Sequence, residues 1–68
     1  MNEAVYVILM VFYLHGGGVA TQSSTASSYE FCKANGSIEV QRQIDKGMRL
    51  GNKQVKIDKG KFICLVFE

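Results

Sequence analysis

Proline and tryptophan are absent from this chain, and cysteine occurs only twice in its 68 residues. The lack of proline, together with 47% hydrophobic and 21% charged residues, excludes collagen-like and intrinsically disordered classes. Two cysteines allow one intramolecular bridge, but not the dense disulfide framework of many small secreted proteins. Residues 1–68 are therefore predicted to form a single small domain. Because a chain of this length buries only about 60% of its unfolded surface, we expect its stability to depend on a disulfide or a partner chain.

Charged residues are also absent from residues 4–14, whose sequence is AVYVILMVFYL. The content of Val, Ile, Phe and Tyr favours a β-strand. Successive residues of a strand point to opposite faces, and in this run both faces are apolar. The run is thus predicted to be the central strand of a sheet that needs cover on both sides.

The same apolar run could instead belong to a secretory signal. Its length fits that role, and Gly18, Val19 and Ala20 resemble a small-residue cleavage site. Residues 1–3 contain no lysine or arginine, however, whereas secretory signals normally begin with basic residues. A retained strand in a cytoplasmic protein is the first prediction, and export to the periplasm or beyond with loss of residues 1–20 is the alternative. As a helix the run would rise about 16 Å, too little to span a hydrocarbon core of about 30 Å, so no membrane association is expected.

Glycine and small polar residues follow the apolar run. Gly16, Gly17 and Gly18 supply the positive-φ freedom of a tight reversal, and residues 19–25 (VATQSST) suit a polar edge strand. The glycines do not indicate a phosphate-binding loop, because no Gly-Lys-Ser or Gly-Lys-Thr occurs in the chain. A hairpin is therefore predicted here.

A helix is predicted for residues 28–48. Ser27 and Glu30 have the spacing of a capping box, in which the two side chains bond free N–H groups of the first turn. At 100° per residue, one side of the helix is apolar and the opposite side is polar. Asn35 and Gly36 form a breaker pair, and period-two spacing leaves a strand open for residues 36–50. The predicted apolar side comprises Phe31, Ala34, Ile38, Ile44 and Met48.

Residues 61–67 (KFICLVF) form the last predicted strand, after turn signals at Asp58, Lys59 and Gly60. The resulting order defines an α+β fold of ββαβ type. We expect a three-stranded antiparallel sheet with strand order 2-1-3 and one helix on one face.

The last strand is apolar on both faces, like the first, yet the chain has only one helix to cover the sheet. The other face would expose an apolar patch larger than a soluble monomer usually tolerates. We expect a second copy of the chain to cover it, giving a homodimer with Ile63, Leu65 and Phe67 as candidate interface residues. In the alternative, residues 49–60 fold over that face.

Cys32 and Cys64 are predicted to lie at the same end of the domain, so a bridge between them is a candidate. It would close a loop of about 30 residues and add roughly 3–4 kcal/mol of stability. The helical pattern places Cys32 on the polar side and Phe31 on the apolar side, so the helix would have to turn about its axis to form the bridge. Two buried free thiols are the alternative. A zinc site with His15 is not predicted, because a fourth ligand and paired spacing are missing.

Basic residues are concentrated in residues 42–61. The second half of the chain carries seven basic and four acidic residues, whereas residues 1–34 carry one lysine and two glutamates. A basic patch attracts anions, but Asp45 and Asp58 interrupt this one, and no aromatic residue between positions 42 and 61 could stack on bases. A solvated polar face is preferred, and nucleic-acid binding is not expected. The candidate patch comprises Arg42, Lys46, Arg49, Lys53, Lys56, Lys59 and Lys61.

Residues with catalytic potential are few. His15 is the only histidine, and no pattern positions a nucleophile beside it. The carboxylates are scattered, and each has a capping, turn or surface explanation. No enzymatic activity, catalytic residue, metal site or cofactor is predicted.

Four features together resemble a known layout: an apolar strand ending in glycines, a polar strand, a helix start with an early cysteine (residues 28–34, SYEFCKA), and a terminal strand with a second cysteine (residues 62–66, FICLV). In this layout the chain resembles small uncharacterised proteins encoded in bacteriophages and prophages. Such families have no established activity, so the resemblance implies no functional residue. Residues 47–60 depart from this layout, because the stretch between the helix and the last strand is longer than in the more compact pattern of such proteins.

Three functions follow from these observations. The first is a small, non-enzymatic, self-associating interaction module of phage or prophage type. The second is an exported protein that loses residues 1–20 and carries a Cys32–Cys64 disulfide. The third is a nucleic-acid-binding accessory protein that uses residues 42–61.

Overall fold

The apolar run near the N-terminus forms the central strand of the sheet. The computed structural model describes residues 4–68; residues 1–3, which bear on the export alternative, lie outside the described residues. Its elements are β1 (Val5–Leu14), β2 (Val19–Ala26), α1 (Tyr29–Lys46), β3 (Met48–Leu50), β4 (Lys53–Val55) and β5 (Ile57–Phe67). The main sheet is antiparallel, in the order β2-β1-β5. The predicted α+β class and the 2-1-3 order are confirmed, and the short β3–β4 hairpin is an addition to the predicted ββαβ order.

The three glycines close the first hairpin as predicted. Gly16, Gly17 and Gly18 all have φ values between 87° and 108°, the left-handed region that favours glycine. The turn is held by the Leu14 N–H, which donates to the Gly18 carbonyl at 3.0 Å. It brings Val19 opposite Tyr13 and thereby sets the register of β2 on β1.

The helix covers one face of the sheet, where the core lies. Ile8, Met10, Phe12 and Leu14 of β1 are buried there, and Phe12 is completely inaccessible. Cys32, Val40 and Ile57 complete the buried set. Only one of the two apolar faces of β1 is therefore covered by α1.

The helix begins and ends close to the predicted positions, but its cap differs. Ser28 is the N-cap, and its Oγ accepts a hydrogen bond from the Phe31 N–H at 3.0 Å. The capping box predicted from Ser27 and Glu30 is wrong, because the third helical position is Phe31, which has no carboxylate to bond the cap. The helix continues through the Asn35 breaker and ends at Lys46, and the N–H of Gly47 donates to the Gln43 carbonyl at 2.8 Å. Residues 36–46 are thus helical, and β3 follows immediately.

The predicted apolar side of the helix is correct only in part, at Ile44 and Met48, which pack against the core. Phe31 and Ile38 are 47% and 54% exposed, whereas Cys32, Gly36 and Val40 face the sheet and are buried. Gly36 explains the difference, since a Cβ at that position would overlap the Phe62 ring. Small residues let the helix axis approach the sheet closely, and that close packing outweighs burial of Phe31 and Ile38.

The turn predicted at positions 58–60 is also wrong. β5 already begins at Ile57, which pairs with Leu14, and the next pair is Lys59 with Tyr13. Asp58 is therefore the extra residue of a β-bulge. Gly60 lies inside the strand, opposite Phe12. A glycine fits there because the Cβ of any other residue would lie 2.7 Å from the Phe12 ring.

Candidate interaction surface

The sheet has a second face, opposite the helix, which we call the open face. Ile63 and Phe67 on this face are 53% and 56% exposed. The alternative in which residues 49–60 cover this face is wrong, because Met48 and Val55 of the β3–β4 hairpin pack against the core on the helix side. Within residues 4–68, no element lies over the open face. By strand alternation the face comprises Val5, Val7, Leu9, Val11, Tyr13, Val19, Thr21, Ser23, Thr25, Lys59, Lys61, Ile63, Leu65 and Phe67.

One end of the open face is wholly apolar on its two longest strands. Three cross-strand pairs build this apolar end: Val5 with Phe67, Val7 with Leu65, and Leu9 with Ile63. The candidate interface residues Ile63, Leu65 and Phe67 thus lie side by side with the outward half of β1. Cross-strand apolar pairs of this kind stabilise the sheet, but they leave a contiguous patch in contact with solvent.

The other end of the open face is aromatic and cationic. Tyr13 lies opposite Lys59, and Lys61 lies two pairs further along, opposite Val11. The Nζ atoms of Lys59 and Lys61 lie 5.2 and 5.7 Å from the centroid of the Tyr13 ring, within the range of cation–π contacts. We call these three residues the Tyr13 cluster. Sequence analysis missed it because the aromatic residue comes from β1, more than forty positions away from the lysines.

The seven residues of the predicted basic patch do not share one surface. Lys59 and Lys61 belong to the open face, whereas Lys46 and Arg49 line a shallow groove beside the β3–β4 hairpin, on the helix side. Lys56 lines a neighbouring groove that also contains Lys46. The remaining two are Arg42, whose Nη1 lies 3.0 Å from the Glu39 carboxylate, and Lys53, which begins β4.

The two cysteines form a disulfide that joins the first turn of α1 to β5. Their Cα atoms are 6.0 Å apart, and Cys32 is completely buried. The predicted bridge is therefore present in the structure, and the helix is turned about its axis as the bridge requires. Cys64 lies between Ile63 and Leu65 in sequence, so the disulfide fastens the helix directly behind the apolar end of the open face.

His15 lies in the exposed turn after β1. Its Nδ1 is 3.1 Å from Oδ1 of Asp58, and both side chains are more than half exposed. Within residues 4–68 there is no group of three or more His, Cys, Asp or Glu side chains arranged to hold a metal ion. The described part of the chain also contains no helix that is long and apolar enough to cross a membrane.

Comparison with known protein families, with curated proteins and with solved structures finds no match to this chain. The resemblance to phage-encoded proteins therefore stays a prediction. Among the described residues, the open face, with its apolar end and its Tyr13 cluster, is the candidate functional surface.

Proposed function

We propose that this protein is a small, non-enzymatic interaction module that associates with a second copy of itself through the open face. The observation that supports this proposal is the half-exposed apolar end formed by β1 and β5. Exposure of such apolar surface to water is unfavourable, and the free energy falls when a partner covers it. No segment of residues 4–68 supplies that cover.

A second copy suits this surface because the two ends of the face differ. In a twofold dimer the same patch meets itself, so two apolar ends can face each other without any charge between them. Two Tyr13 clusters cannot do so, since Lys59 and Lys61 of each copy would repel those of the other. The symmetry axis is therefore expected to cross the apolar end near Leu65, leaving the Tyr13 clusters at opposite ends of the dimer.

The size of the open face limits the strength of the dimer. Only the apolar end overlaps in this arrangement, and three strands about 4.8 Å apart with five residues of about 3.3 Å each cover about 240 Å² of sheet. Two copies would bury on the order of 500 Å², which is below the size of a standard specific interface and fits a weak, transient contact. We expect a reversible dimer with a dissociation constant in the micromolar range or weaker.

Sedimentation equilibrium of the oxidised full chain tests the proposal. The apparent mass should rise from that of one 7.5 kDa chain toward twice that value as the concentration increases from micromolar to millimolar. Ile63→Gln should keep the chain monomeric. Val66→Gln is the matched control, because Val66 is in the same strand, is 45% exposed and faces the helix side. A monomer at all concentrations, or equal effects of both substitutions, contradicts the proposal.

The proposal includes retention of β1. Among the residues that the structure describes, four of the seven buried core residues belong to this strand, and β1 pairs with both β2 and β5 in the main sheet. Removal of residues 1–20, as in the export alternative, would eliminate this core. The disulfide is compatible with an oxidising compartment, and the compartment stays a prediction. The intact mass of the natively expressed protein distinguishes the two cases.

A further inference from the structure

We propose that the Tyr13 cluster binds single-stranded nucleic acid, with a base stacked on the Tyr13 ring and backbone phosphates on Lys59 and Lys61. The proposal goes beyond self-association and does not require it. Nucleic-acid binding was not expected from the sequence, because no aromatic residue lies near the lysines in the chain. In the folded protein, Tyr13 of β1 lies beside Lys59 and Lys61.

The ring is carried by the central strand of the sheet. Tyr13 is in the central strand, paired with Val19 on one side and Lys59 on the other. The next residue in the chain toward the N-terminus, Phe12, is completely buried beneath the helix. Tyr13 is thus presented on a sheet that is fixed from behind, as a stacking platform requires.

The surroundings of the ring favour an anion. By strand alternation no acidic side chain lies on the open face within residues 4–68, and its β2 strand contributes the hydroxyls of Thr21 and Ser23. Asp58, in the bulge, is the nearest carboxylate in sequence, and it contacts His15. Lysines separated by two positions in a strand project to the same side, so Lys59 and Lys61 present two positive charges to one ligand.

The partly exposed ring of Tyr13, in contact with both lysines, favours nucleic acid over an acidic peptide. Phosphates or carboxylates could both pair with the ammonium groups, but in a nucleic acid every phosphate is accompanied by a base whose planar π-face can stack on Tyr13. Stacking of a base on an aromatic side chain contributes about 1–3 kcal/mol, whereas an exposed cation–π contact contributes about 0.5–1 kcal/mol. A base can therefore displace a lysine from the ring, and the flexible side chain can then reach a phosphate. A single strand is required, because in a duplex the base faces are already stacked on each other.

Fluorescence anisotropy with labelled oligothymidylate and oligoadenylate, at low salt and with the oxidised full chain, tests the proposal. We expect both oligonucleotides to bind, with affinity that falls as salt is added. Tyr13→Leu keeps an apolar strand residue but removes the ring, and should weaken binding between about 5-fold and 100-fold. Tyr13→Phe should retain binding. Lys59→Gln and Lys61→Gln should each reduce the slope of log K against log salt by about 0.7.

Two control variants match these substitutions. Tyr29→Leu removes an exposed aromatic ring at the start of the helix, and Lys33→Gln removes an exposed lysine of the same helix. Neither residue lies in the sheet, so both should leave binding unchanged. Thermal unfolding of every variant shows whether it is folded, and Tyr13→Phe provides the folded comparison if Tyr13→Leu is not.

Several outcomes would overturn the proposal. These are no binding at low salt, equal effects of Tyr13→Leu and Tyr29→Leu, or binding of poly-glutamate that depends on Lys59 but not on Tyr13. The last result would assign the cluster to an acidic protein partner. Ile63→Gln should still bind oligonucleotide, so failure of the dimer and failure of nucleic-acid binding are observed separately.

Discussion

The two faces of β1 are similar in composition, but one is buried and the other is partly accessible to solvent. Ile8, Met10 and Phe12 point toward the helix and are buried, whereas Leu9 and Val11, between them in the chain, point to the open face and remain partly accessible. The difference comes from the other layer, since α1 covers only one side of the sheet. An apolar pattern on both faces of a strand therefore does not show which of the two faces the chain itself covers.

Among substitutions that compare the two faces, replacement of Phe12 should change the free energy of unfolding most. Phe12→Ala leaves a cavity beneath the helix and should lower the free energy of unfolding by about 3–5 kcal/mol, which is as much as a domain of this size usually has. Val11→Ala, the neighbouring residue on the open face, should cost about 1 kcal/mol or less. Urea denaturation of dilute protein measures both values. Equal costs would mean that the two faces are buried to the same extent.

Loss of the disulfide should have the next largest effect. The Cys32–Cys64 bridge closes a loop between positions 32 residues apart, and its removal should destabilise the fold by about 3–4 kcal/mol. For a domain of this size that lowers the melting temperature on the order of 20 °C. The measurement is thermal unfolding with and without reductant. The double variant Cys32→Ala/Cys64→Ala is the control, because reductant should not change its melting temperature further.

A single methyl group at Gly36 should test the close approach of helix and sheet. Alanine favours helix formation over glycine by about 1 kcal/mol, but the new Cβ would overlap the Phe62 ring. We expect the overlap to dominate and to destabilise the fold by about 1–3 kcal/mol. Ser37→Ala, at the next and exposed position, should have no more than a small effect. If Gly36→Ala stabilises the protein, the helix does not lie as close to β5 as the structure has it.

Part of the fold could be predicted from the sequence, and part of it could not. The strand order followed from local signals, because a strand apolar on both faces belongs in the centre and Gly16 to Gly18 form a tight reversal. The buried side of the first half of the helix did not follow, since Cys32 and Gly36 contribute little hydrophobicity and act through their small size. Their role depends on Phe62, which is distant in the sequence.

The open face could likewise be predicted from the sequence only where local pattern determines it. Ile63, Leu65 and Phe67 were identified from strand alternation alone, and all three lie on the open face. The Tyr13 cluster was not identified, because it depends on the cross-strand register of β1 and β5. That register in turn depends on the bulge at Asp58, which the sequence pattern indicated as a turn.

Substitution on the open face should change the free energy of unfolding least, in contrast to substitution on the buried face. Ile63→Thr keeps a β-branched strand residue and should alter the free energy of unfolding of dilute protein by no more than about 0.5 kcal/mol. A partner that binds only the folded chain stabilises it by mass action, so the melting temperature of the unaltered protein should rise with concentration. The melting temperature of Ile63→Thr should not. If the melting temperatures of both proteins depend on concentration in the same way, a second copy of this chain does not cover the open face.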